Sequence, residues 1–264
     1  MPSSEPVGQG AGSAVRASRA APQTARMCGR YASSRRDADL VEAFEVDDAV
    51  GEELPPSYNK APTQPVRAVV TRPPREEDGG APSRQLRTLR WGLVPAWAKD
   101  PRIGNRMINA RVETITEKPA FKRAAARRRL VVPADGYYEW EKREDGAKVP
   151  HFLHAADDGL LAFGGLYELW PDPTKAEDDP DRWLWTLTII TTRATDAAGR
   201  IHDRSPLVVP AEMLDDWLDP QLTDLDLVRQ LLDAVPEPHL VTHEVSPAVN
   251  SVRNDSPDLL APVT

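Results

Sequence analysis

The single cysteine of the chain, Cys28, lies in the sequence Met27-Cys28-Gly29-Arg30, where two nucleophiles can be created on one residue. A methionine before a small residue is the setting in which an initiator methionine is removed, which would leave the α-amine of Cys28 free. That amine has an ordinary pKa of roughly 7.7–8.0, and the thiol has one near ~8.5. Such a 1,2-aminothiol forms an imine with an aldehyde and then closes a thiazolidine ring. The alternative is a small, buried and inert residue, the commoner role of a lone cysteine.

Three further segments place polar side chains within or beside predicted strands. Glu139 lies between two aromatic residues, where partial burial raises the pKa of a carboxyl group and suits it to proton transfer; the alternative is an outward-facing strand residue. His202, followed by Asp203, is a candidate proton shuttle or a capped loop histidine. Asn109 is a candidate donor to an oxyanion or partner of a ribose hydroxyl, or else a turn residue.

The charge distribution permits an anionic ligand although the chain as a whole is acidic. Its formal net charge is −8, but residues 99–129 carry ten Lys and Arg against three acidic residues. Screening limits the reach of distant charge to roughly 8–10 Å, so a local basic face still attracts phosphates. A solvated, arginine-rich helix is the alternative. Trp91, Trp97 and Trp140 flank the polar segments and are candidates for base stacking, although most tryptophans belong to a core.

Length and composition exclude several classes of protein. The chain contains no apolar run of about 18 residues for a membrane span, and its start lacks the apolar core of a secretory signal. A single cysteine excludes internal disulfides and fits a reducing cytoplasm. His151 and His154 have no further ligands at metal-binding spacing, and neither a glycine-rich phosphate loop nor a serine nucleophile elbow occurs. We therefore expect a cytoplasmic protein with no membrane anchor, metal or cofactor.

The elements that must position these groups follow from the hydrophobic pattern. Strands are predicted at 66–71, 86–93, 130–132, 136–140, 151–154, 160–167, 184–192 and 240–245. Helices are predicted at 36–46, 119–128, 211–218 and 222–232, and loops at 73–82, 141–148 and 171–181. Because short strands outnumber helices and do not alternate with them regularly, we expect one α+β domain on a curved, mainly antiparallel sheet.

The first 26 residues differ in character from everything that follows. They are rich in Ala, Ser, Pro and Gly, carry scattered Arg and have no hydrophobic period. Such a composition predicts a disordered extension or a misassigned start. The folded domain is therefore expected at 27–262.

Seven short motifs occur in the order in which one protein family carries them. They are Met27–Tyr31, Tyr58–Pro62, Trp91–Pro95, Asn109–Arg111, Ala134–Trp140, His202–Leu207 and, near the end, Val245–Ser246 with Val249–Asn250. Each motif alone is weak, but together they make the chain resemble the SRAP (SOS response-associated peptidase) family over residues 27–262. The resemblance implies an α+β fold with a barrel-like core and peripheral helices.

The same resemblance implies a reaction and a partner. Members of the family bind single-stranded DNA and trap the ring-opened aldehyde of an abasic site as a thiazolidine with the N-terminal cysteine, which shields the lesion during the DNA damage response. By this resemblance Cys28 supplies amine and thiol, Glu139 moves protons in imine formation and crosslink reversal, His202 shuttles a proton at the sugar, and Asn109 positions the cysteine or the opened sugar. A monomer near the nucleoid is expected.

Six further residues match family positions at or near the DNA. They are Arg30, Arg111 and Arg204 at phosphates, Trp97 and Trp140 beside the bases, and Thr191 near the site. The chain departs from the family pattern after Trp97, where some bacterial members carry a second tryptophan and this chain carries Ala98.

The residues before Cys28 are a second departure, because an amine held in a peptide bond cannot form an imine. Either Met27 is the true start or the extension is removed, and self-cleavage with the help of Glu139 fits the peptidase in the family's name. Two alternative functions remain. One is a thiol peptidase of the N-terminal-nucleophile type that acts on peptides, and the other is a non-covalent single-strand binder with a structural cysteine.

Overall fold

The computed structural model describes residues 28–74 and 80–263, and these contain thirteen strands and five α-helices. The strands are β1 (Tyr31–Ser33), β2 (Asp48–Val50), β3 (Ser57–Lys60), β4 (Pro65–Arg72), β5 (Ser83–Trp91), β6 (Asn109–Arg111), β7 (Arg129–Ala134), β8 (Gly136–Lys142), β9 (Lys148–Ala155), β10 (Leu161–Pro171), β11 (Trp183–Arg193), β12 (Arg204–Pro206) and β13 (Leu240–Glu244). The helices are α1 (Asp37–Ala43), α2 (Lys122–Arg127), α3 (Asp196–Ile201), α4 (Leu214–Leu218) and α5 (Leu225–Asp233).

Five of the strands close into a barrel. Antiparallel pairing links β11, β10, β7, β4 and β5 in that order, and the parallel pairing of Leu187 with Trp91 returns β5 to β11. Successive side chains of a strand point to opposite faces. Thus Ala68 and Val70 of β4 pack with Leu187 inside the barrel, whereas Val69 packs outside it. The expected α+β class and the barrel-like core are confirmed.

A second sheet carries the beginning of the described chain. Its order is β13-β9-β8-β1-β3, and every neighbouring pair in it is antiparallel. The short strand β1 therefore lies between β8 and β3, with Tyr31 opposite Tyr137 on one side and Lys60 on the other. This pairing fixes what lies next to the residues just before β1.

The helices cover the outer face of the barrel. Residues of α2, α4 and α5 pack with outward-facing strand residues around the fully buried Trp217. Arg129 closes this layer: its guanidinium donates to the carbonyls of Trp217 and Ala125 at 2.7 and 2.9 Å, and burial lowers its pKa to about 10. One cation of the basic segment at 99–129 is therefore structural.

Most predicted elements are confirmed, and the corrections have local causes. The helix predicted at 119–128 begins only at Lys122, because Pro119 lies in a turn in which Phe121 donates to the carbonyl of Lys118. The strands β1, β2, β3, β6 and β12 and the helix α3 were not predicted; these strands have only three or four residues, too few to show a period. Residues 1–26, and residues 75–79 of the predicted loop, lie outside the described ranges. No helix within those ranges is long and apolar enough to cross a bilayer.

Two glycines allow a close backbone approach between the end of β5 and the loop that carries Trp97. Gly92 has a φ of +126°, and a Cβ atom built on it would lie 2.6 Å from the carbonyl oxygen of Gly104. The main chain continues from this crossing to Asn109, and Leu93 donates to the carbonyl of Met107 at 3.1 Å. The crossing thus joins the barrel to the segment that leads into β6.

We expect Gly92→Ala to lower the free energy of unfolding by about 1–3 kcal/mol or more, because it adds both a disfavoured φ and a main-chain overlap. Urea unfolding followed by circular dichroism measures this. Gly146→Ala is the matched control: its φ is +84°, but no atom lies within 4 Å of the added Cβ. Equal losses of unfolding free energy in the two variants would show that the close approach of Gly92 to Gly104 adds no steric cost to a side chain at position 92.

Candidate functional site

The structure brings Cys28 and Glu139 into direct contact although 111 positions separate them. The main-chain nitrogen of Cys28 donates to Oε1 of Glu139 at 2.6 Å. The pairing of β1 with β8 creates this contact, since Tyr138 of β8 donates to the carbonyl of Arg30 at 3.0 Å and so aligns the two segments. Cys28 has a φ of +42°, which is uncommon for a residue other than glycine and is typical of functional sites.

Burial sets the protonation of both groups. Cys28 is 3% exposed and Glu139 is 4% exposed. Burial raises the pKa of the Glu139 carboxyl group, while the hydrogen bond from Cys28 and the nearby His202 oppose that shift. Burial also raises the pKa of the Cys28 thiol well above its ordinary value, and the carboxylate of Glu139 raises it further. The site therefore holds a protonated thiol beside a carboxyl group that accepts protons unusually readily.

His202 lies at the C-terminal end of α3, and the following main chain orients its ring. Nδ1 lies 3.1 Å from the main-chain nitrogen of Arg204 and 3.0 Å from a carboxylate oxygen of Asp203, and it cannot donate and accept at once. The main-chain N–H is a fixed donor, whereas the Asp203 side chain is 85% exposed. We therefore assign Nδ1 as the acceptor, so that the neutral ring carries its proton on Nε2.

The strand β11 gathers the other predicted residues at its C-terminal end. β6 runs parallel to it, with Asn109 opposite Ile189 and Arg111 opposite Thr191. β12 lies antiparallel on its other side and brings the guanidinium of Arg204 within 3.4 Å of Oγ1 of Thr191. Asn109 is partly buried. The carbonyl oxygen of Arg204 accepts a contact from the Cys28 thiol and lies 3.8 Å from its Sγ. These strands connect Asn109, Thr191 and Arg204 to the cysteine.

The three arginines predicted at DNA phosphates have different surroundings. Arg30 donates to Oδ1 of Asn59 at 2.6 Å and to the carbonyl of Val249 at 2.9 Å. Arg204 forms an ion pair with Glu113. Arg111 is exposed, and in the described part of the chain no ion pair is found for its side chain. Arg30 and Arg204 would have to give up these partners to contact a phosphate, whereas the side chain of Arg111 is exposed at the surface.

Several residues that sequence reasoning did not single out complete the site. Asn59, 1% exposed, donates to the carbonyls of Val249 and Asn254 and ties the C-terminal segment to β3. Asn250 accepts from Nε1 of Trp140 at 2.7 Å. Both asparagines lie inside motifs quoted above, but the motifs gave no sign that Asn59 binds the C-terminal segment or that Asn250 binds Trp140. Glu113 lies two residues after β6 and was likewise not selected.

A family model described as SOS response associated peptidase (SRAP) matches residues 27–252 of the chain. The chain belongs to this family. Abasic site processing protein YoqW of Bacillus subtilis (strain 168) is 40% identical over 235 residues, which are 89% of this chain and 99% of that protein. Abasic site processing protein HMCES of Gallus gallus is 33% identical, covering 90% of this chain and 78% of that protein.

The fold is also that of solved structures. A crystal structure of a protein from Bacteroides thetaiotaomicron superposes with a TM-score of 0.72 over 90% of this chain and 100% of that chain, at 21% identity. At this identity the likeness bears on the fold alone. It agrees with a barrel-like core joined to a second antiparallel sheet.

The tryptophans of this SRAP chain divide between the surface and the core. Trp97 is 65% exposed, whereas Trp91 is fully buried and donates to the carbonyl of Ile108 at 2.9 Å. The residue after Trp97, Ala98, is buried, and its carbonyl accepts from Nε1 of Trp170 at 2.7 Å. Trp91 is therefore not a base-stacking candidate. Trp97 remains a candidate, and the hydrogen bond to Ala98 holds the main chain next to it. Within the described ranges no group of three or more His, Cys, Asp and Glu side chains is placed to hold a metal.

The pKa shift of Glu139 has a consequence for stability. A carboxyl group whose pKa is raised on folding stabilises the fold when protonated, and this contribution is lost as the pH rises through the raised pKa. Glu139→Gln keeps an acceptor for Cys28 but has no charge to bury. We expect the variant to be more stable than the wild type at pH 7–8, with the difference vanishing below the ordinary pKa of about 4.3. Urea unfolding at a series of pH values measures it.

Glu141→Gln is the control, because Glu141 lies on the same strand with a side chain that is 39% exposed. It should show no comparable gain. A Glu139→Gln variant that is equally destabilised at every pH would contradict the assignment of a buried, readily protonated carboxyl group.

Proposed function

We propose that this SRAP chain is an abasic site processing protein, which bonds covalently through Cys28 to abasic sites in single-stranded DNA and shields them. The observation that carries the proposal is the 2.6 Å contact between the nitrogen of Cys28 and Glu139. Covalent capture of an aldehyde needs proton transfer at that nitrogen, and the contact provides a buried carboxyl group there. The names of YoqW and HMCES, both abasic site processing proteins, support the substrate.

The proposed reaction begins at the free α-amine of Cys28. Its lone pair adds to the aldehyde carbon of the opened sugar, and one proton passes from the nitrogen to the oxygen to give a carbinolamine. Glu139 protonates the departing hydroxyl group, which leaves as water, and takes back the remaining proton of the nitrogen, so that a neutral imine remains. Sγ then adds to the imine carbon while its proton passes to the imine nitrogen, which closes the thiazolidine. One water molecule is released in all.

The protonation states support this order of steps. Because burial and Glu139 raise the pKa of the thiol, it is protonated at neutral pH and is a poor first nucleophile. The amine adds first, and the thiol acts only when its proton can be passed on. The carboxylate form of Glu139 can accept that proton, and His202, which lies close enough to Glu139 to influence its pKa, is a candidate shuttle at the sugar oxygen.

The same pair of residues supports removal of the segment before Cys28. Hydrolysis of the bond between residues 27 and 28 adds water to the carbonyl carbon and expels the nitrogen of Cys28, which must gain a proton. Glu139 lies 2.6 Å from that nitrogen and is the group that would donate it. Self-processing and capture of the aldehyde would thus use one proton donor at one atom.

DNA binding is proposed to follow the exposed side chains around this centre. Arg111 offers a cation beside Thr191, and Trp97 offers an exposed ring for a base. Trp140 is partly buried, and its hydrogen bond to Asn250 holds the indole ring in one orientation, in which it would pack beside the DNA strand. Arg30 and Arg204 would reach a phosphate only by exchanging present partners, Asn59 and Glu113 respectively. Asn109 is proposed to orient the opened sugar from β6.

The alternative of a thiol peptidase acting on peptides is less well supported. Such enzymes activate the thiol by a lowered pKa or by an adjacent base, and burial and Glu139 raise the pKa of the Cys28 thiol. A non-covalent binder with a structural cysteine leaves the contact between the Cys28 nitrogen and a buried carboxyl group unexplained.

We expect a heat-stable adduct between the protein and a single-stranded oligonucleotide with one abasic site, and none with Cys28→Ala. Cys28→Ser keeps the amine but lacks the thiol, so its adduct should be stable only after borohydride reduction. Denaturing electrophoresis detects both products, and mass spectrometry confirms Cys28 as the N-terminus. Absence of any adduct from protein that begins at Cys28 would refute the proposal.

The affinity for undamaged single-stranded DNA tests the predicted phosphate contact of Arg111. We expect Arg111→Ala to weaken binding and to reduce the slope of log K against log salt by about 1, because one phosphate contact is lost. Fluorescence anisotropy at several salt concentrations measures the slope. Arg253→Ala, another exposed arginine, is the control, and identical slopes in the two variants would argue against a contact at Arg111.

A further inference from the structure

The main chain of Arg204 touches two of the groups that the proposed reaction uses. Its carbonyl oxygen lies 3.8 Å from Sγ of Cys28. Its N–H donates to Nδ1 of His202 at 3.1 Å. A small displacement of this one residue therefore alters both the placement of the thiol and the tautomer of the histidine ring.

The side chain of Arg204 is held by a carboxylate. Nη1 and Nη2 donate to the two oxygens of Glu113, the second at 3.0 Å, and Nη2 also donates to the carbonyl of Thr191. The Arg204 side chain is only 11% exposed. A two-pronged arrangement of this kind fixes the orientation of a guanidinium as well as its position.

Glu113 is itself anchored from the opposite direction. Both terminal nitrogens of Arg229, in α5, donate to the carbonyl oxygen of Glu113 at 3.2 Å. Nη2 of Arg229 also donates to Oγ1 of Thr116 at 2.7 Å. A continuous path of hydrogen bonds therefore runs from α5 through Glu113 and Arg204 to His202 and Cys28. The steps from Arg229 to Glu113, from Glu113 to Arg204 and from Arg204 to Cys28 join segments far apart in the sequence, whereas His202 lies two residues before Arg204.

We propose that Glu113 is a positioning residue for the covalent reaction, which holds Arg204 so that the main chain of Arg204 keeps the His202 proton on Nε2 and the Cys28 thiol in place. This proposal rests on the proposed function above. It gives Arg204 a role that differs from a phosphate contact, because both ends of its guanidinium face a carboxylate in the structure.

The ion pair is present under the conditions in which the reaction would run. The hydrogen bonds from Arg204 lower the pKa of the Glu113 carboxyl group, so the pair persists at neutral pH and is lost only as the pH falls through that lowered value. The Glu113 side chain is 52% exposed, so a substitution there opens no cavity in the core.

The test is Glu113→Gln in the protein as purified, with its N-terminus checked by mass spectrometry. Glutamine keeps the length of the side chain but has no charge and a single oxygen, so it cannot engage both nitrogens of Arg204. We expect the rate of adduct formation at saturating abasic-site DNA to fall about 10–100-fold, since misplacement by about 1 Å has such effects. Affinity for undamaged single-stranded DNA should not fall, because Arg204 loses no positive charge.

Glu117→Gln is the matched control. It removes the same charge four residues away, where the carboxylate lies 3.7 Å from Arg229 and is 72% exposed. We expect its rate to stay within about twofold of the wild type. If Glu113→Gln proves unstable in thermal unfolding, Glu113→Asp, which keeps the charge on a shorter side chain, takes its place and should give an intermediate rate.

A spectroscopic measurement separates positioning from general loss of structure. Nitrogen NMR of the histidine rings should show Nδ1 of His202 unprotonated in the wild type and a mixture of tautomers in Glu113→Gln, with the other histidines unchanged. This measurement needs no DNA, so it tests the path through Arg204 even if the wild type forms no adduct, which would refute only the proposed function.

Two results would overturn the inference. One is a Glu113→Gln variant that binds DNA more tightly and forms the adduct at the wild-type rate or faster, because Glu113 would then merely compete with phosphate for Arg204. The other is an unchanged His202 tautomer in that variant.

Discussion

The hydrogen bond from the main chain of Cys28 to Glu139 is the interaction on which the site depends. A carboxyl group that is 4% exposed is costly to ionise, and hydrogen bonds from the thiol and main chain of Cys28 and from the main chain of Trp140, together with the nearby His202, offset part of that cost. The same burial keeps the thiol protonated. Burial therefore raises the pKa values of the proposed nucleophile and of the proposed proton carrier together. A change that admits water would lower both pKa values.

The strand β11 connects this centre to the rest of the fold. Its first half is a barrel strand, paired with β10 and, in parallel, with β5. Its last residues leave the barrel and are flanked by β6 on one side and β12 on the other. The candidate site residues Asn109, Thr191 and Arg204 thus lie where the pairing of β11 changes from its barrel neighbours to the short strands β6 and β12. Sites placed on a rigid scaffold in this manner hold their geometry better than sites on free loops.

The barrel strands could be predicted from the sequence because alternation is a local signal, and aromatic flanks indicated the burial of Glu139, whereas the chemistry of Cys28 and Glu139 stays a prediction. The short strands β1, β6 and β12 were missed, and these are the elements that bring the site together. The partner of Arg204 was missed for the same reason: Glu113 lies 91 positions away, and only the pairing of β11 with two neighbours brings them into contact. An arginine in a motif has the same sequence whether it faces a phosphate or a carboxylate.

Contacts of the residues that follow Cys28 guide the main chain to its nitrogen. The pairing of β1 with β8, and the hydrogen bond from Tyr138 to the carbonyl of Arg30, set the course of the main chain from the C-terminal side. Glu139 is 4% exposed, and Tyr137, two residues before it on the same face of β8, is almost fully enclosed. Loss of the preceding peptide would turn an amide nitrogen into an amine at the same place, beside the same carboxyl group. Under the proposed function, removal of that peptide would place the new amine 2.6 Å from Oε1 of Glu139 without any rearrangement of β1 or β8.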